Sequence, residues 1–348
     1  MVFCSMKKHV NIPIFIPHMG CPNQCVFCNQ RTISGVNKFE ITRVKDEIEE
    51  ALKTISKDTE AEIAFFGGSF TGIDRSLMIS LLELGYNYVL QGKVSSIRCS
   101  TRPDYITPEI LDILKMYGVK TIELGLQSYN DNVLSLCKRG HTAEDEKNAT
   151  AMIVEHGFDL VGQMMIGLPG STLEMEIATA EFIIASGACG ARIYPTVVFN
   201  ETELFEMASK GYYDPITVSD AVVRSAKVLR LFIENNVKII RIGLCASDNL
   251  YEKDKYYAGP NHPALGEMVE GELYFDIIRD MIARHSFLPT DIPVIMIAKG
   301  AMSKAIGHKR ANKERLIKQF GFADIKFREN ENLSEYEVKL EEGKRQCI

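Results

Sequence analysis

Short apolar runs alternate with longer amphipathic runs over the first 240 residues of this 348-residue chain. The apolar runs end at Gly, Pro or polar residues, as strands do, and the runs between them have helical periodicity. Pro108 begins one predicted helix, and Gly118, Gly157 and Gly187 end others. Six such strand–helix units predict a parallel α/β sheet, either open and doubly wound or closed into a partial barrel. In both folds ligands bind at the carboxyl ends of the strands.

Composition and net charge exclude several classes of protein. The net charge of −6 gives the whole chain no attraction to nucleic acid or to membranes. No apolar stretch reaches the roughly eighteen residues of a membrane span, and the N-terminal segment lacks the pattern of a secretion signal. We therefore expect a cytoplasmic protein with no membrane partner. A disulfide framework is not expected there, although the chain has nine cysteines.

Three of these cysteines, Cys21, Cys25 and Cys28, lie close together directly after the first predicted strand. A disulfide with a spare thiol is disfavoured by the compartment. A structural zinc site needs four ligands, and His18 is the candidate for the fourth. An iron–sulfur cluster held by three thiolates would leave one iron open to a small molecule. The spacing alone leaves the last two alternatives open.

The segment CPNQCVFC, with Phe27 before its last cysteine, resembles the cluster motif of the radical S-adenosylmethionine (SAM) superfamily. The resemblance implies a partial (βα)6 barrel of the TIM type over residues 1–245. It also implies a 4Fe–4S cluster whose open iron chelates SAM, and a reductant such as flavodoxin or ferredoxin. In that superfamily, reductive cleavage of SAM yields a 5′-deoxyadenosyl radical that abstracts hydrogen from the substrate, and the protein binds and shields the reactants.

Four further segments, FFGGSFTG, STRPD, ELGLQSYNDNVLSLCKRG and GQMMIGLPG, resemble compact radical SAM domains of the Elongator catalytic-subunit and coproporphyrinogen dehydrogenase families. By this resemblance the glycines approach the SAM amino group, an arginine pairs with its carboxylate, and polar side chains contact its ribose. Ser69 and Ser100 replace acidic residues of those families. The implied cofactor-binding residues are Phe27, Gly67, Gly68, Ser69, Ser100, Arg102, Gln127, Arg139, Gln163 and Gly167.

Polar residues at the last strands of the barrel are the candidates for contact with the substrate. An arginine and a tyrosine can pair with and stack on a planar base, a thiol can return a hydrogen atom, and a histidine can act as acid or base. Core or surface positions without a catalytic role stay the alternative for each of them. The substrate candidates are Arg192, Tyr194 and Arg241, and the catalytic candidates are Cys245, Asp248 and His262.

The remaining residues, 246–348, are predicted to form a C-terminal extension with one long helix and a small α/β unit. The segment AMSKAIGHKRANKERLIKQFGF resembles half of a KH RNA-binding domain, although Arg310 replaces the second glycine of the turn at Gly307. Between Lys299 and Lys318 there are seven basic residues and one acidic residue. Two hypotheses stay open: an RNA contact, or a solvated basic face on a dimerising or lid domain.

The resemblance identifies radical chemistry more sharply than its substrate. The preferred hypothesis is a lyase that splits the 7-deazaguanine base queuine, giving 7-aminomethyl-7-deazaguanine. One alternative is an enzyme that modifies the wobble uridine of tRNA, which would use the KH-like tail. The other is an iron–sulfur or haem carrier without catalytic activity. We expect either a nucleobase or tRNA as the substrate, and a homodimer.

Overall fold

The computed structural model describes residues 8–16, 19–21, 24–34, 39–56, 58–244, 255–288 and 290–341. The chain divides into two compact units. The first comprises residues 1–216 and 231–261, and the second comprises residues 217–230 and 262–348.

The first unit is built on a seven-stranded parallel sheet that curls into a half-barrel. Neighbouring strands pair in parallel in the order β1-β2-β3-β4-β5-β6-β8. The strands are β1 (Lys8–Ile16), β2 (Thr59–Gly67), β3 (Ser96–Thr101), β4 (Val119–Gln127), β5 (Asp159–Ile166), β6 (Gly190–Pro195) and β8 (Lys238–Ile242). The predicted partial barrel is confirmed, and β8 extends it beyond the six predicted units. A short antiparallel pair, β7 (Val198–Phe199) and β9 (Tyr256–Ala258), completes this unit.

Helices follow the strands, Pro108 begins one of them as predicted, and side chains cap the starts of several. Thr107 and Thr172 each accept a hydrogen bond from a backbone N–H of the first turn, and Thr142 forms a capping box with Asp145. The helices of this unit are α1 (Gln30–Ser34), α2 (Ile41–Thr54), α3 (Arg75–Leu90), α4 (Pro108–Met116), α5 (Asp131–Leu136), α6 (Ala143–Glu155), α7 (Leu173–Ala185) and α8 (Glu203–Ser209). Helix α9 (Val218–Glu234) has residues in both units.

The second unit packs helices against a three-stranded sheet. Its elements are α10 (Leu265–Ala283), β10 (Val294–Ala298), α11 (Met302–Ile306), α12 (Ala311–Phe320), β11 (Lys326–Asn330) and β12 (Val338–Leu340). Strand β10 is central, parallel to β11 and antiparallel to β12. The buried side chains of Tyr274, Ile295, Ile297 and Leu316 belong to its core. The KH-like character of this unit stays a prediction.

Candidate active site

The cysteine loop lies at the carboxyl end of β1, and it is hydrogen-bonded both internally and to the segment that follows α5. The Val26 N–H donates to the Cys137 carbonyl at 3.2 Å, and the Cys28 N–H donates to the Cys25 carbonyl at 3.0 Å. The Arg139 guanidinium donates through Nη1 to the Cys25 Sγ at 3.2 Å. The loop therefore holds its thiols beside a buried positive charge.

The glycine segment after β2 contacts the cysteine loop backbone to backbone. The Ser69 N–H donates to the Met19 carbonyl at 3.1 Å, and the Gly68 N–H donates to the Ile16 carbonyl at 2.8 Å. A Cβ on Gly68 would lie 1.9 Å from the Met19 oxygen, so only glycine permits this approach. The predicted proximity of the two motifs is present. The role of Gly67 and Gly68 in holding SAM stays a prediction.

The thiols fit a site that a metal cluster completes. Burial raises the pKa of Cys28 to about 12, with the negative charges of Cys25 and Cys21 adding to the effect. Burial also raises the pKa of Cys21, against the lowering charge of Arg102. Crowded, buried thiolates repel one another, and bound iron cations remove that repulsion. Among the described residues, no three His, Cys, Asp or Glu side chains converge on a single ion, whereas in an iron–sulfur cluster each thiolate binds its own iron.

Several buried polar atoms beside the thiols have no hydrogen-bond partner in the described part of the chain. They include Arg102 Nη1, Arg139 Nε and Gln127 Oε1. Gln127 has a φ of 76° at a register shift of β4. A left-handed backbone at a non-glycine residue is strained and is most often kept at functional sites. These atoms fit a polar cofactor with a carboxylate and hydroxyl groups, and their predicted contacts with SAM stay predictions.

Arg139 and four charged or titratable side chains near it form a group that we call the cysteine-side cluster. Its five members are Arg102, Asp104, Arg139, His141 and Glu146. The Arg102 Nε donates to Asp104 Oδ1 at 2.9 Å, and Arg102 Nη2 donates to Asp104 and to the Arg139 carbonyl. Arg139 Nη2 donates to the Gly125 carbonyl. Through these bonds Arg102 fixes the backbone of Arg139 from one side, and Arg139 reaches Cys25 on the other.

His141 and Glu146 are the members of the cysteine-side cluster that the sequence did not indicate. His141 Nε2 lies 3.0 Å from Glu146 Oε1, and both side chains are fully buried. Burial, with the charges of Arg139 and Arg102, lowers the pKa of His141 to about 3. Burial raises the pKa of Glu146 well above its usual value. Burial thus disfavours the charged form of both side chains.

A second set of polar side chains, here called the polar belt, crosses the inner face of the half-barrel. Each of the first six strands contributes one residue: His9, Glu62, Arg98, Glu123, Gln163 and Arg192. Only Gln163 and Arg192 are predicted from the sequence. The signal for the others was a charged or polar residue inside an otherwise apolar strand, which does not by itself show which side chain it meets.

Glu123 is the centre of the polar belt and is fully buried. Its carboxylate accepts from Arg98 Nη1 at 2.9 Å, from Arg192 Nε at 2.7 Å and Nη2 at 2.9 Å, and from Gln163 Nε2 at 2.9 Å. Burial alone would raise the pKa of Glu123, but the bonds and charges of Arg192 and Arg98 outweigh it and lower the pKa. The two arginines therefore keep this carboxylate ionised.

Glu62 continues the polar belt towards β1. Its carboxylate accepts from Arg98 Nε at 2.9 Å and Nη2 at 2.6 Å and from the Ser96 hydroxyl, and His9 Nε2 lies 2.7 Å away. Burial would raise its pKa, but the bonds from Ser96 and Arg98 lower it below the usual range. Every carboxylate oxygen of the belt is thus hydrogen-bonded, and the charges of Glu62 and Glu123 are matched by Arg98 and Arg192.

The half-barrel encloses a cavity of about 1020 Å³. Phe27, Cys28 and Gly67 line it, so the cysteine loop forms part of its wall. Its lining also includes the predicted residues Ser100, Gln127, Gln163, Arg192, Tyr194 and Arg241. The structure therefore brings these cofactor and substrate candidates to one cavity, whereas Gly68, Ser69, Arg102, Arg139 and Gly167 are not among its lining residues. Arg192 is a buried ion-pair partner of Glu123 and not a surface arginine.

The other predicted residues lie in three different settings. Ser69 is buried, and its hydroxyl bonds that of Thr101 at 2.8 Å, which ties the glycine segment to β3. Gly167 has a φ of 77° and its carbonyl accepts from Tyr213 at 2.6 Å. His262 belongs to the second unit, where its Nδ1 accepts from the Ala264 N–H at 3.1 Å. Cys245, Asp248 and His18 lie outside the described residues.

The basic tail segment is less cationic than its composition indicates. Four of the seven basic side chains form ion pairs with acidic residues of the same unit: Lys299 with Glu331, Lys304 with Glu270 and Glu335, Lys313 with Asp324, and Arg315 with Glu272. Lys309 and Arg310 have no ion pair within the described part of the chain and occupy left-handed backbone positions, with φ of 51° and 67°. The cationic surface of this segment therefore narrows to three residues: Lys309 and Arg310 in the turn after Gly307, and Lys318 on α12, which is exposed and has no ion pair within the described part of the chain.

Comparison with known proteins identifies the class. The family model of the radical SAM superfamily matches residues 15–183, and the model of the radical SAM C-terminal domain matches residues 189–275. The chain belongs to the radical SAM superfamily. Proteins of this family use a 4Fe–4S cluster and SAM, as the cysteine motif predicted.

Individual relatives fall within the group that the sequence resembled. The chain is 27% identical over 202 residues to the tRNA uridine(34) acetyltransferase of Methanocaldococcus jannaschii, covering 52% of this chain and 37% of that protein. It is 32% identical over 142 residues to Elongator complex protein 3 of Homo sapiens, covering 40% and 26%. The solved structure of Elp3 from Methanocaldococcus infernus superimposes with a TM-score of 0.62 at 21% identity, covering 77% of this chain and 63% of that one. The chain thus spans about a third of the length of these curated relatives, and the superposition supports the fold.

In the part of the chain that the structure describes, we find no helix with the length and apolar character needed to cross a membrane.

Proposed function

We propose that this protein is a radical SAM lyase that acts on a free nucleobase. The base is queuine, and cleavage of the bond between the aminomethyl nitrogen and the cyclopentenediol ring gives 7-aminomethyl-7-deazaguanine and releases the cyclopentenediol unit. The observation that carries the proposal is the cavity inside the half-barrel. It is bounded by the cysteine loop at Cys28 and lined by the polar residues Gln163 and Arg192. A planar heterocycle placed there would meet hydrogen-bonding groups while lying beside the cofactor site.

The size of the cavity supports a small substrate bound together with SAM. Its volume of about 1020 Å³ is at the upper end of the range for small-molecule sites, about 300–1,000 Å³. Apolar and aromatic walls, including Phe15, Phe66 and Tyr194, alternate with the polar belt. Such a lining can stack on a flat ring and at the same time bond its polar edge.

In this proposal the cluster and SAM, when bound, supply the radical that removes a hydrogen atom from the base. The residues of the chain bind, orient and shield. Cys21, Cys25 and Cys28 hold the cluster, and Gly67 and Gly68 leave room for the SAM amino group. Arg139 is placed to pair with the SAM carboxylate, because its Nε is buried without a partner in the described part of the chain.

Modification of a tRNA uridine is the second candidate. The relatives named tRNA uridine(34) acetyltransferase and Elongator complex protein 3 support it, as does the cationic turn at Lys309 and Arg310. On this hypothesis the turn would contact the phosphate backbone, and a flipped base would enter the cavity. Four of the seven basic residues of the tail are already paired, which is why we place this candidate second.

The test compares the two substrates on one enzyme. The protein is reconstituted with iron and sulfide without oxygen, reduced with dithionite and supplied with SAM. Formation of 5′-deoxyadenosine is then followed with queuine, with tRNA or with no addition. We expect queuine to raise the rate by about tenfold or more and to yield 7-aminomethyl-7-deazaguanine.

Other outcomes contradict the proposal. If tRNA alone accelerates the reaction, the second candidate replaces the first. If neither substrate does, both substrate assignments are wrong. If no 5′-deoxyadenosine forms under any condition, the non-catalytic carrier is favoured.

A further inference from the structure

Arg139 is a buried arginine that forms no ion pair with a carboxylate in the described part of the chain. The residue is 6% exposed, and its Nη1 donates to the Cys25 Sγ at 3.2 Å. Asp104 is ion-paired with Arg102. Burial raises the pKa of Glu146 well above its usual value, against the charge of Arg139, so this carboxyl is not an anion at neutral pH. Because a buried charge without a counter-charge is strongly disfavoured, the guanidinium requires an anion other than these carboxyls.

The thiols of the cysteine loop are the groups on which the charge of Arg139 acts. Cys25 is in direct contact with it. Burial raises the pKa of Cys28 to about 12 and also raises the pKa of Cys21, and at both thiols the charge of Arg139 opposes this rise. An arginine in a protein stays protonated at every relevant pH. The loop therefore carries a permanent positive charge that favours negative charge on its sulfur atoms.

The backbone holds Arg139 in this position. Its N–H donates to the Leu134 carbonyl at 3.0 Å, and its carbonyl accepts from Arg102 Nη2. Lys138 before it has a φ of 54°, and Gly140 after it has a φ of 76°. A left-handed backbone at a non-glycine residue such as Lys138 is strained, and such strain is most often kept at functional sites. The contact between Arg139 and Cys25 is therefore set by the fold and not by a freely moving side chain.

We infer that Arg139 is the counter-charge of the iron–sulfur cluster and raises its reduction potential through the bond to Cys25. This inference rests on the proposed function, because it assigns the iron–sulfur cluster to the cysteine loop. Transfer of one electron from a reductant such as flavodoxin or ferredoxin adds one negative charge to the iron–sulfur cluster and its thiolates. A fixed positive charge and an N–H···S hydrogen bond both favour the more negative, reduced form. Burial strengthens both effects, because water and salt screen them less.

This role is separate from the predicted contact of Arg139 with the SAM carboxylate. The bond to Cys25 uses Nη1, whereas Nε is buried without a partner in the described part of the chain and stays available to SAM. An arginine that only binds SAM affects the Kd of SAM and leaves the reduction potential of the SAM-free protein unchanged. A counter-charge changes that potential before SAM binds. The potential measured without SAM therefore distinguishes the two roles.

The experiment is a redox titration of the reconstituted protein without SAM, in which the EPR signal of the reduced iron–sulfur cluster is followed. Arg139→Gln should shift the one-electron equilibrium towards the oxidised form by about tenfold, which makes the potential about 59 mV more negative. Lys138→Gln is the matched control, because it removes one positive charge from the adjacent residue, whose side chain is exposed and paired with Glu203. It should change the equilibrium by less than about twofold.

Arg139→Lys gives a second measurement that does not depend on the folding of Arg139→Gln. Lysine keeps a positive charge but not the rigid fork that directs Nη1 at Cys25. Its potential should lie between those of the unsubstituted protein and Arg139→Gln, and it should be more negative than that of Lys138→Gln. If Arg139→Gln does not fold, the comparison of Arg139→Lys with Lys138→Gln decides, and equal potentials in these two variants would overturn the inference.

Two results overturn the inference while leaving the proposed function intact. One is an equal potential in Arg139→Gln and Lys138→Gln together with a weaker Kd for SAM in Arg139→Gln, which would assign Arg139 to the SAM carboxylate alone. The other is a more positive potential in Arg139→Gln. If the potentials shift as expected but queuine has no effect on 5′-deoxyadenosine formation, the inference holds and the queuine assignment is wrong. If the unsubstituted protein takes up no iron–sulfur cluster, both are wrong.

Discussion

The polar belt and the cysteine-side cluster are both buried and charged, but they differ in how completely their polar atoms are hydrogen-bonded. In the belt, both carboxylates are hydrogen-bonded at each oxygen, and the charges of Glu62 and Glu123 are balanced by Arg98 and Arg192. In the cluster, Arg102, Arg139, His141 and Glu146 each keep a buried atom without a partner in the described part of the chain.

This difference indicates that protein groups satisfy the hydrogen bonds of the polar belt, whereas a bound cofactor satisfies those of the cysteine-side cluster. A buried polar group without a partner costs about 1–3 kcal/mol, so several of them together are kept only where something binds them. The cysteine-side cluster lies against Cys25 through Arg139, where the family places its cofactors. The carboxylates of the polar belt are fully hydrogen-bonded within the protein, and the belt presents the Gln163 amide to the cavity.

The largest effect is expected from removing one thiol. Cys28→Ala should abolish cluster binding and bring 5′-deoxyadenosine formation below detection, because two thiolates cannot replace three. Iron and sulfide analysis and product detection by mass spectrometry measure this. Cys99→Ala, in β3 and fully buried, is the control, and it should keep its cluster. Equal loss in both variants would mean that the effect is one of folding.

Next in size is the effect of breaking the polar belt at its centre. Glu123→Gln removes the carboxylate that Arg98 and Arg192 share, while Arg98 keeps Glu62, and it should lower the free energy of unfolding by about 3–5 kcal/mol. Urea denaturation measures this. The control is Glu109→Gln, which removes the exposed ion pair with Arg75 and should cost less than about 1 kcal/mol. A similar small cost for both variants would show that the belt is not an ion-paired framework.

The cysteine-side cluster should make the free energy of unfolding depend on pH. Burial raises the pKa of Glu146 in the folded state, so its neutral carboxyl contributes stability that is present below the unfolded pKa and is lost as the pH rises through the folded pKa. The lowered pKa of His141 acts in the opposite direction, because the unfolded imidazole binds a proton below about pH 6.5 that the folded one does not bind. Above that pH the His141 contribution is level, and we expect stability to fall as the pH rises through the folded pKa of Glu146.

Urea denaturation at about pH 6.5 and about pH 8 measures this slope. Glu146→Gln removes the raised carboxyl. The low pKa of His141 then makes stability rise towards pH 6.5 and stay level above it. A level profile in the unsubstituted protein over the same interval would contradict the raised pKa of Glu146.

The smallest effect comes from a matched pair of arginine substitutions. Arg102→Lys keeps a charge beside Asp104 but gives up the second bond to that carboxylate and the bond to the Arg139 carbonyl, so the cost should be about 1–2 kcal/mol. Arg98→Lys breaks the fork between Glu62 and Glu123 and should cost about 2–3 kcal/mol. Thermal or urea unfolding compares the two. A larger loss from Arg102→Lys would reverse the comparison.

Local patterns in the sequence predicted the half-barrel and the cysteine loop well. Apolar runs and caps defined the first six strands, because burial on both faces leaves a continuous apolar signal. Strand β8, KIIRI, was not counted as a barrel strand, since its five residues include charged ones at both its start and its fourth position. The cysteine spacing was recognisable because all three ligands lie in one short loop.

The polar belt and the buried pair could not be predicted in the same way. Which side chain meets Glu123 depends on the register of four strands, which is set by packing over a span from Arg98 to Arg192. His141 and Glu146 are five residues apart with one inside a helix, a spacing that has no local signature. For the tail, the net charge was visible, but its acidic partners lie on α10 and around β11.

The most direct test of the account is transfer of deuterium from the base to 5′-deoxyadenosine. Queuine labelled at its carbon-bound hydrogens is incubated anaerobically with reconstituted protein, SAM and dithionite, and the nucleoside is analysed by mass spectrometry. The proposed lyase should give deuterated 5′-deoxyadenosine together with 7-aminomethyl-7-deazaguanine, and Cys28→Ala should give neither product. Unlabelled 5′-deoxyadenosine formed at the same rate with and without queuine would contradict it.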